Sequence, residues 1–292
     1  MQSHLYADDT QFYDSCRPDD TDTLRSRLSC CADDIDSWCK SRRLQLNADK
    51  TEAIWLGSRS NLAKITNSDG SIQVGSSKIQ PSTVVRDLGL YIDGELSMKH
   101  HVTKVAATCY YHLRRLRQIR RRVGQEVATR LVLAMVISRL DYCNASLAGL
   151  PQATVAPLQR VQNSAARLIF ELSTREHVTP CLLQLHWLPV RWRVQFKLCC
   201  VMHSIFHGTC PLYLSNIVEP VGAGRTRSGL RSTSSTDFSL PRLRTKFGER
   251  SFCHAGPAAW NDLPEDIRAV ADTAKFRKRL KSYLFTSAFN VQ

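Results

Sequence analysis

The chain has no Cys-x-x-Cys pair, although it contains eleven cysteines. Two cysteine pairs, Cys30-Cys31 and Cys199-Cys200, are directly adjacent. An odd count without paired spacing argues against a disulfide framework and against a paired-knuckle zinc site. Reduced thiols in an intracellular compartment, nucleus or cytoplasm, fit this usage best. No stretch reaches the ~18 uncharged apolar residues of a membrane-crossing helix, so no membrane partner is expected. The opening residues MQSHLYADD carry no apolar run behind a basic patch, which predicts no secretory leader. No repeat of solenoid length occurs. Acidic residues are scarce: 26 stand against 40 Lys and Arg, for a net charge of +14. A balance of this kind points to a polyanion partner, most often nucleic acid.

What remains is the composition of a globular protein. The 292 residues are 43% hydrophobic and 23% charged, enough to bury a sizeable core. The pattern is α+β. Residues 1–16 read as a hairpin around an acidic turn, with Tyr6, Phe12 and Tyr13 favouring strand. A helix follows, with Leu24, Leu28, Cys31, Ile35 and Trp38 on its core face. A strand is expected over Glu52–Leu56, a loop over 57–70, a hairpin at SIQVGSSKIQ, and another strand at TVVRDLGLYID with Gly89 marking a bend. After about residue 96 the period becomes helical. Val102, Val105, Cys109, Leu113 and Leu116 form one stripe, and Leu158, Val161, Ala165 and Leu168 form another. Residues 219–245 are rich in Gly, Ser, Thr and Arg and read as a loop or linker. Three regions are therefore expected: 1–95, 96–175 and 176–292.

Several residues carry candidate chemistry. Asp8 and Asp9 sit between aromatic, β-prone segments in LYADDTQFY. Adjacent carboxylates repel unless a cation neutralises them, and a hard cation such as Mg²⁺ prefers oxygen ligands. The plain alternative is a structural acidic turn. Residues 99–130 carry Lys99, Lys104, Arg114, Arg115, Arg117, Arg120, Arg121, Arg122 and Arg130 against one acid, Glu126. Arg114, Arg117 and Arg121 recur at helical spacing, away from the Leu113/Leu116 face. Such a stripe suits sequence-independent phosphate contacts, and its alternative is a solvated helix face. Cys200, His203, His207 and Cys210 have ligand-like spacing, but FKLCCVMHSIFHG also reads as a core helix.

YADDTQFY resembles the Tyr-x-Asp-Asp box of reverse transcriptases. The whole chain resembles the C-terminal part of the polymerase of LINE-type (non-LTR) retrotransposons, through WCKSRRLQLNADKTEAIWLG, VRDLGLYIDGELSMKHHV, VISRLDYCNASLAGLP, LQRVQNSAARLI, LHWLPVRWRVQFKL, FGERSFCHAGPAAWNDLP and FRKRLKSYLF. The resemblance implies a partial polymerase palm of β-hairpins and one helix over 1–95. It implies a helical, basic thumb over 96–175, then a helical C-terminal region. By the same resemblance Asp8 and Asp9 hold Mg²⁺, and Tyr6 flanks the primer end. Lys50 contacts phosphate or protonates pyrophosphate, its alternative being an ordinary turn lysine. Leu88 and Gly89 grip the primer backbone. Lys104, Arg114, Arg115, Arg117 and Arg121 hold the RNA template and DNA primer, or the RNA–DNA duplex. The parent reaction is two-metal, RNA-directed DNA synthesis. In that family the fingers and a third catalytic aspartate precede the box, and here only five residues precede Tyr6. The 292 residues alone are therefore expected to be inactive, and a missing N-terminal polymerase half is expected to be needed. The competing expectation is a non-catalytic nucleic-acid binder or an inert element remnant.

Overall fold

A computed structural model describes residues 1–7, 9–65, 70–221 and 236–291. The fold is mixed α+β, mostly helical, with small antiparallel strand pairs. The chain divides into two compact units, Met1–His100 and His101–Gln292. The second unit holds both the stretch from 101 to 175 and the stretch from 176 onward.

In the first unit, β1 (Gln2–Tyr6) pairs with β2 (Asp9–Tyr13) in the register Gln2↔Tyr13 to Tyr6↔Asp9. Helix α1 (Thr21–Ser41) follows. Its buried contribution is narrower than the apolar spacing predicts. Leu24 is buried, whereas Trp38 is 56% exposed, with the Arg42 guanidinium 5.9 Å from its ring centroid. The C-terminal end of the stripe thus faces solvent at Trp38, beside the Arg42 guanidinium. The polar side of α1 is put to use. Ser29 Oγ accepts from the Gln73 amide at 3.0 Å, and Asp33 Oδ1 accepts from the Gly75 amide at 3.3 Å. These bonds hold β3 (Ile72–Val74) and its partner β4 (Ser77–Ile79) against the helix. Residues 59–65, expected as loop, form the short helix α2 (Arg59–Ile65), and residues 66–69 lie outside the described residues.

The strand expected over Glu52–Leu56 does not form. Ala53 makes one parallel bridge to Pro81, with the Ser82 amide donating to the Ala53 carbonyl at 2.8 Å. Proline has no N–H to extend a ladder, so pairing stops at that bridge. TVVRDLGLYID is two strands rather than one: β5 (Val84–Asp87) and β6 (Leu90–Asp93), joined at Leu88-Gly89. Both turn residues have positive φ, +42° and +86°, as a tight hairpin turn of matching twist requires. Asp93 then orders the chain beyond it, accepting from the amides of Ser97 (2.8 Å) and Met98 (2.9 Å).

The second unit is helical. α3 (Lys99–Ile119) buries His101, Val102, Ala106, Cys109, Leu113 and Leu116. α4 (Gln125–Val132) runs through a π-turn at Leu133–Ile137 into α5 (Ser138–Asp141). α6 (Gln152–Phe170) buries Leu158, Val161, Ala165 and Leu168, as its periodicity predicts. It also buries Gln162 completely, whose Nε2 donates to the Leu188 carbonyl at 2.8 Å. Gln159 Oε1 accepts from the Val190 amide at 2.8 Å. Two glutamines on one helix thus satisfy the backbone on both sides of Pro189. α7 (Thr179–Gln184) precedes that segment, and α8 (Val190–Phe206) starts from it. Arg193 of α8 meets Asp141 of α5 at 3.0 and 3.2 Å. Burial pushes the Asp141 carboxyl up and the Arg193 guanidinium down, and their mutual attraction offsets this only in part.

The main core of this unit surrounds α8. After α9 (Leu212–Ser215), α10 (Phe252–Asn261), α11 (Glu265–Arg268) and α12 (Thr273–Phe289) pack Trp260, Ile267, Phe276, Leu280 and Leu284 against Cys199 and Met202. A Cβ on Gly256 would sit 2.9 Å from the Met202 sulfur, so the close approach of α10 and α8 needs glycine there. The stretch expected as a linker is partly core. Residues 222–235 lie outside the described residues, but Phe238 is 4% exposed. The Phe238 amide donates to Asn261 Oδ1 (3.0 Å), and its carbonyl accepts from Asn261 Nδ2 (2.8 Å).

Candidate nucleic-acid interface

The ladder pair Tyr6↔Asp9 closes β1–β2 beside its turn, where Ala7 has φ +53°. An alanine in the left-handed region is strained relative to glycine. Asp8 lies outside the described residues, so of the two expected metal ligands only Asp9 is described. Asp9 is exposed, and Tyr6 is 62% exposed. On both strands only the central pair, His4 and Gln11, is half-buried. An exposed carboxylate beside a second one in sequence is the hard-oxygen donor type that Mg²⁺ takes.

The structure brings a second feature to this hairpin. Gln11 Nε2 donates to Asp87 Oδ1 at 2.6 Å. Asp87 is the last residue of β5, immediately before Leu88 and Gly89. The hairpin carrying Tyr6 and Asp9 is therefore bonded directly to the hairpin whose turn is Leu88-Gly89. Lys50 ends a 3₁₀ turn (Ala48–Lys50) capped by Asn47 Oδ1, and it is exposed.

The basic run separates by role. Lys104, Arg114, Arg115, Arg117 and Arg121 are all exposed. Lys104, Arg114, Arg115 and Arg117 are on α3, and Arg121 is in the 3₁₀ turn Arg120–Arg122 that ends it. Arg115 Nη1 donates to the Tyr111 hydroxyl at 3.1 Å, with its guanidinium 5.7 Å from the Tyr111 ring centroid. That places a cation and a half-exposed aromatic side by side. The imidazole of His112 is held below its ordinary pKa by burial, and then by Arg139 and Arg115, which marks a positive local field. Arg130 is paired with Glu126 at 2.6 Å.

Arg120 differs from its neighbours. Its side chain is 12% exposed and donates to the carbonyls of Leu168 (3.0 Å), Ile169 (2.7 Å) and Val123 (3.0 Å). It closes the free carbonyls at the C-terminal end of α6, a structural duty that a charge count does not reveal. The signal for it lies 48 residues away, where α6 ends at Phe170 and Glu171 turns left-handed at φ +56°.

Of Cys200, His203, His207 and Cys210, the two histidine rings come together, 4.3 Å between centroids. Among the described residues no three His, Cys, Asp or Glu side chains are placed to hold one metal ion. His203 is 1% exposed, and its Nε2 bonds the Val270 carbonyl at 2.8 Å. Its ring stacks on Phe276 at 4.0 Å between centroids. Since a carbonyl only accepts, Nε2 carries the proton. Burial holds this imidazole below its ordinary pKa. Among the described residues no helix is long and apolar enough to cross a membrane.

In comparisons with known proteins, no protein family, no curated protein and no solved structure matches the chain.

Proposed function

We propose that the chain is the part of a non-LTR-type reverse transcriptase that contains the Tyr-x-Asp-Asp box and the segments C-terminal to it. In this reading the first unit is the rear of a palm, and α3 with its neighbours is a thumb that holds an RNA–DNA duplex. The observation that carries the reading is the placing of Tyr6 and Asp9 on a hairpin bonded through Gln11 and Asp87 to the Leu88-Gly89 turn. A primer end held between an aromatic and a backbone turn, beside metal-binding carboxylates, needs those parts close together. Asp8 and Asp9 would hold Mg²⁺, which supplies charge neutralisation for nucleotidyl transfer when bound. Lys104, Arg114, Arg115, Arg117 and Arg121 would neutralise duplex phosphates.

A polypeptide of these 292 residues is expected to bind duplex without extending a primer. On this reading it supplies two of the three metal-binding carboxylates and none of the fingers. The test pairs two assays. Fluorescence anisotropy on a labelled RNA–DNA hybrid should show affinity falling steeply with salt. Arg114→Ala/Arg117→Ala/Arg121→Ala should reduce the slope by roughly 2.7, about 0.9 per lost phosphate contact. RNA-templated primer extension in Mg²⁺ should give no product. Extension that Asp8→Asn abolishes would show the isolated chain to be an active enzyme. Absence of hybrid binding at low salt would refute the thumb reading. The exposed cations of α3 and the Tyr111–Arg115 pair do not depend on the carboxylates, which favours a second reading as a non-catalytic nucleic-acid binder. Hybrid binding indifferent to Asp8→Asn and to Mg²⁺ would support it.

A further inference from the structure

Helix α12 carries Lys275, Arg277, Lys278, Arg279 and Lys281, and no acidic residue occurs from Thr273 to the end of the sequence. All five cations are exposed. The buried stripe of this helix is Phe276, Leu280 and Leu284, spaced four apart. Lys275, Arg279 and Tyr283 form the neighbouring stripe on one flank, with Lys278 beside them. Arg277 and Lys281 lie on the other flank.

The two flanks differ in shape. The Lys275 flank opens onto a groove of about 710 Å³ between α11 and α12. Its walls include Lys275, Lys278, Arg279 and Tyr283, and its floor is apolar, with Ile267 and Val270. Asp266 is the one carboxylate lining it. Among the described residues none of the three cations makes an ion pair, so their charge is not spent within the fold. Lys275 to Tyr283 spans about 12 Å of helix axis. Cations along one wall, an aromatic ring at the end and an apolar floor suit phosphates with exposed base faces between them. A rigid duplex hides its bases and has no use for the floor or the ring.

We propose that this groove binds single-stranded nucleic acid. Lys275, Lys278 and Arg279 contact the backbone, and a base packs on Tyr283 over Ile267 and Val270. The site stands on observations independent of α3, so it does not depend on the duplex-binding reading.

The experiment uses the 292-residue chain with fluorescein-labelled dT₁₂ and U₁₂, and with 5-iododeoxyuridine dT₁₂ for photocrosslinking. Lys275→Ala/Lys278→Ala/Arg279→Ala should weaken binding on the order of tenfold. It should also reduce the salt slope by roughly 2, about 0.7 per contact for a single strand. Crosslinks should map to the peptide containing Tyr283. They should fall with Tyr283→Leu and persist with Tyr283→Phe. The Arg114→Ala/Arg117→Ala/Arg121→Ala variant should keep that crosslink, which separates this site from α3. Three results would overturn the proposal: an unchanged salt slope in the triple variant, crosslinks confined to the α3 peptide, or loss of binding only to phosphatidylserine vesicles with dT₁₂ binding intact. The last would assign the face to a membrane surface instead.

Discussion

Gln11 and Asp87, 76 residues apart, are joined by a hydrogen bond of 2.6 Å between an amide and a carboxylate. It ties the first hairpin to the third. Among the described residues β1 and β2 form a two-stranded sheet, and this bond, with the Arg27–Asp14 ion pair just beyond β2, tethers an otherwise largely exposed ribbon. Asp87→Ala should cost about 1–2 kcal/mol of local stability, as loss of a charge-assisted bond does. Amide hydrogen exchange within β1 and β2 should accelerate roughly 5–30-fold, with exchange in α6 unchanged. Gln11→Ala should give the same result, and the double variant little more.

Arg120 and Arg121 are adjacent and should behave oppositely. Arg120→Ala strands carbonyls of Leu168 and Ile169 and should cost about 2–4 kcal/mol. It should lower the melting temperature and leave the salt slope of hybrid binding unchanged at a temperature where the variant is folded. Arg121→Ala should leave melting within about 0.5 kcal/mol of the parent, because its side chain is exposed, and should reduce the salt slope by about one. Thermal melting and anisotropy on the same two proteins decide it.

His203 predicts the pH response. Burial, then the nearby His207 and Arg277, hold its imidazole below the ordinary 6.5, while the Val270 carbonyl and Asp272 oppose this. The unfolded chain therefore binds a proton that the folded chain does not. Stability is complete above about pH 6.5 and is lost as pH falls toward the folded value. His101 is lowered by burial and acts in the same window. Asp141, raised by burial, takes up its proton more readily in the folded chain and so contributes with the opposite sign as pH falls. Melting temperature should fall between about pH 7 and about pH 5. His203→Gln, which keeps a donor for Val270, should flatten that slope even if it lowers the whole curve.

The helices of the second unit were legible because both α3 and α6 bury one continuous stripe. Leu113 and Leu116, or Leu158 and Val161, announce their face by spacing alone. Trp38 has the right spacing yet is exposed, so its period misleads. Glu52–Leu56 has strand-like residues, but the missing N–H of Pro81 ends its pairing after one bridge. Phe238 is a lone aromatic in a polar stretch and offers no period to read; its place depends on Asn261, 23 residues on. The candidate interface was legible as charge but not as charge free to bind. Arg120 and Arg130 look like their neighbours in sequence, yet carbonyls hold one and Glu126 holds the other. The Gln11–Asp87 bond joins two hairpins whose separation in sequence leaves no trace of their contact.

The π-turn at Leu133–Ile137 gives the helix from Gln125 to Asp141 one residue of slack. A π-turn closes over five residues where an α-turn closes over four. Deleting Ala134 should therefore let the turn relax to α geometry with Asp141 still facing Arg193. Deleting Thr129, outside the π-turn, should swing Asp141 about 100° around the axis and leave the half-buried Arg193 without its carboxylate. That loss should cost about 1–3 kcal/mol, since the Asp141 side chain is partly exposed, against far less for the first deletion, as thermal melting of the two proteins would register. The same spare residue makes this the one stretch of that helix where the length of the gene can drift by a codon while the protein keeps its register.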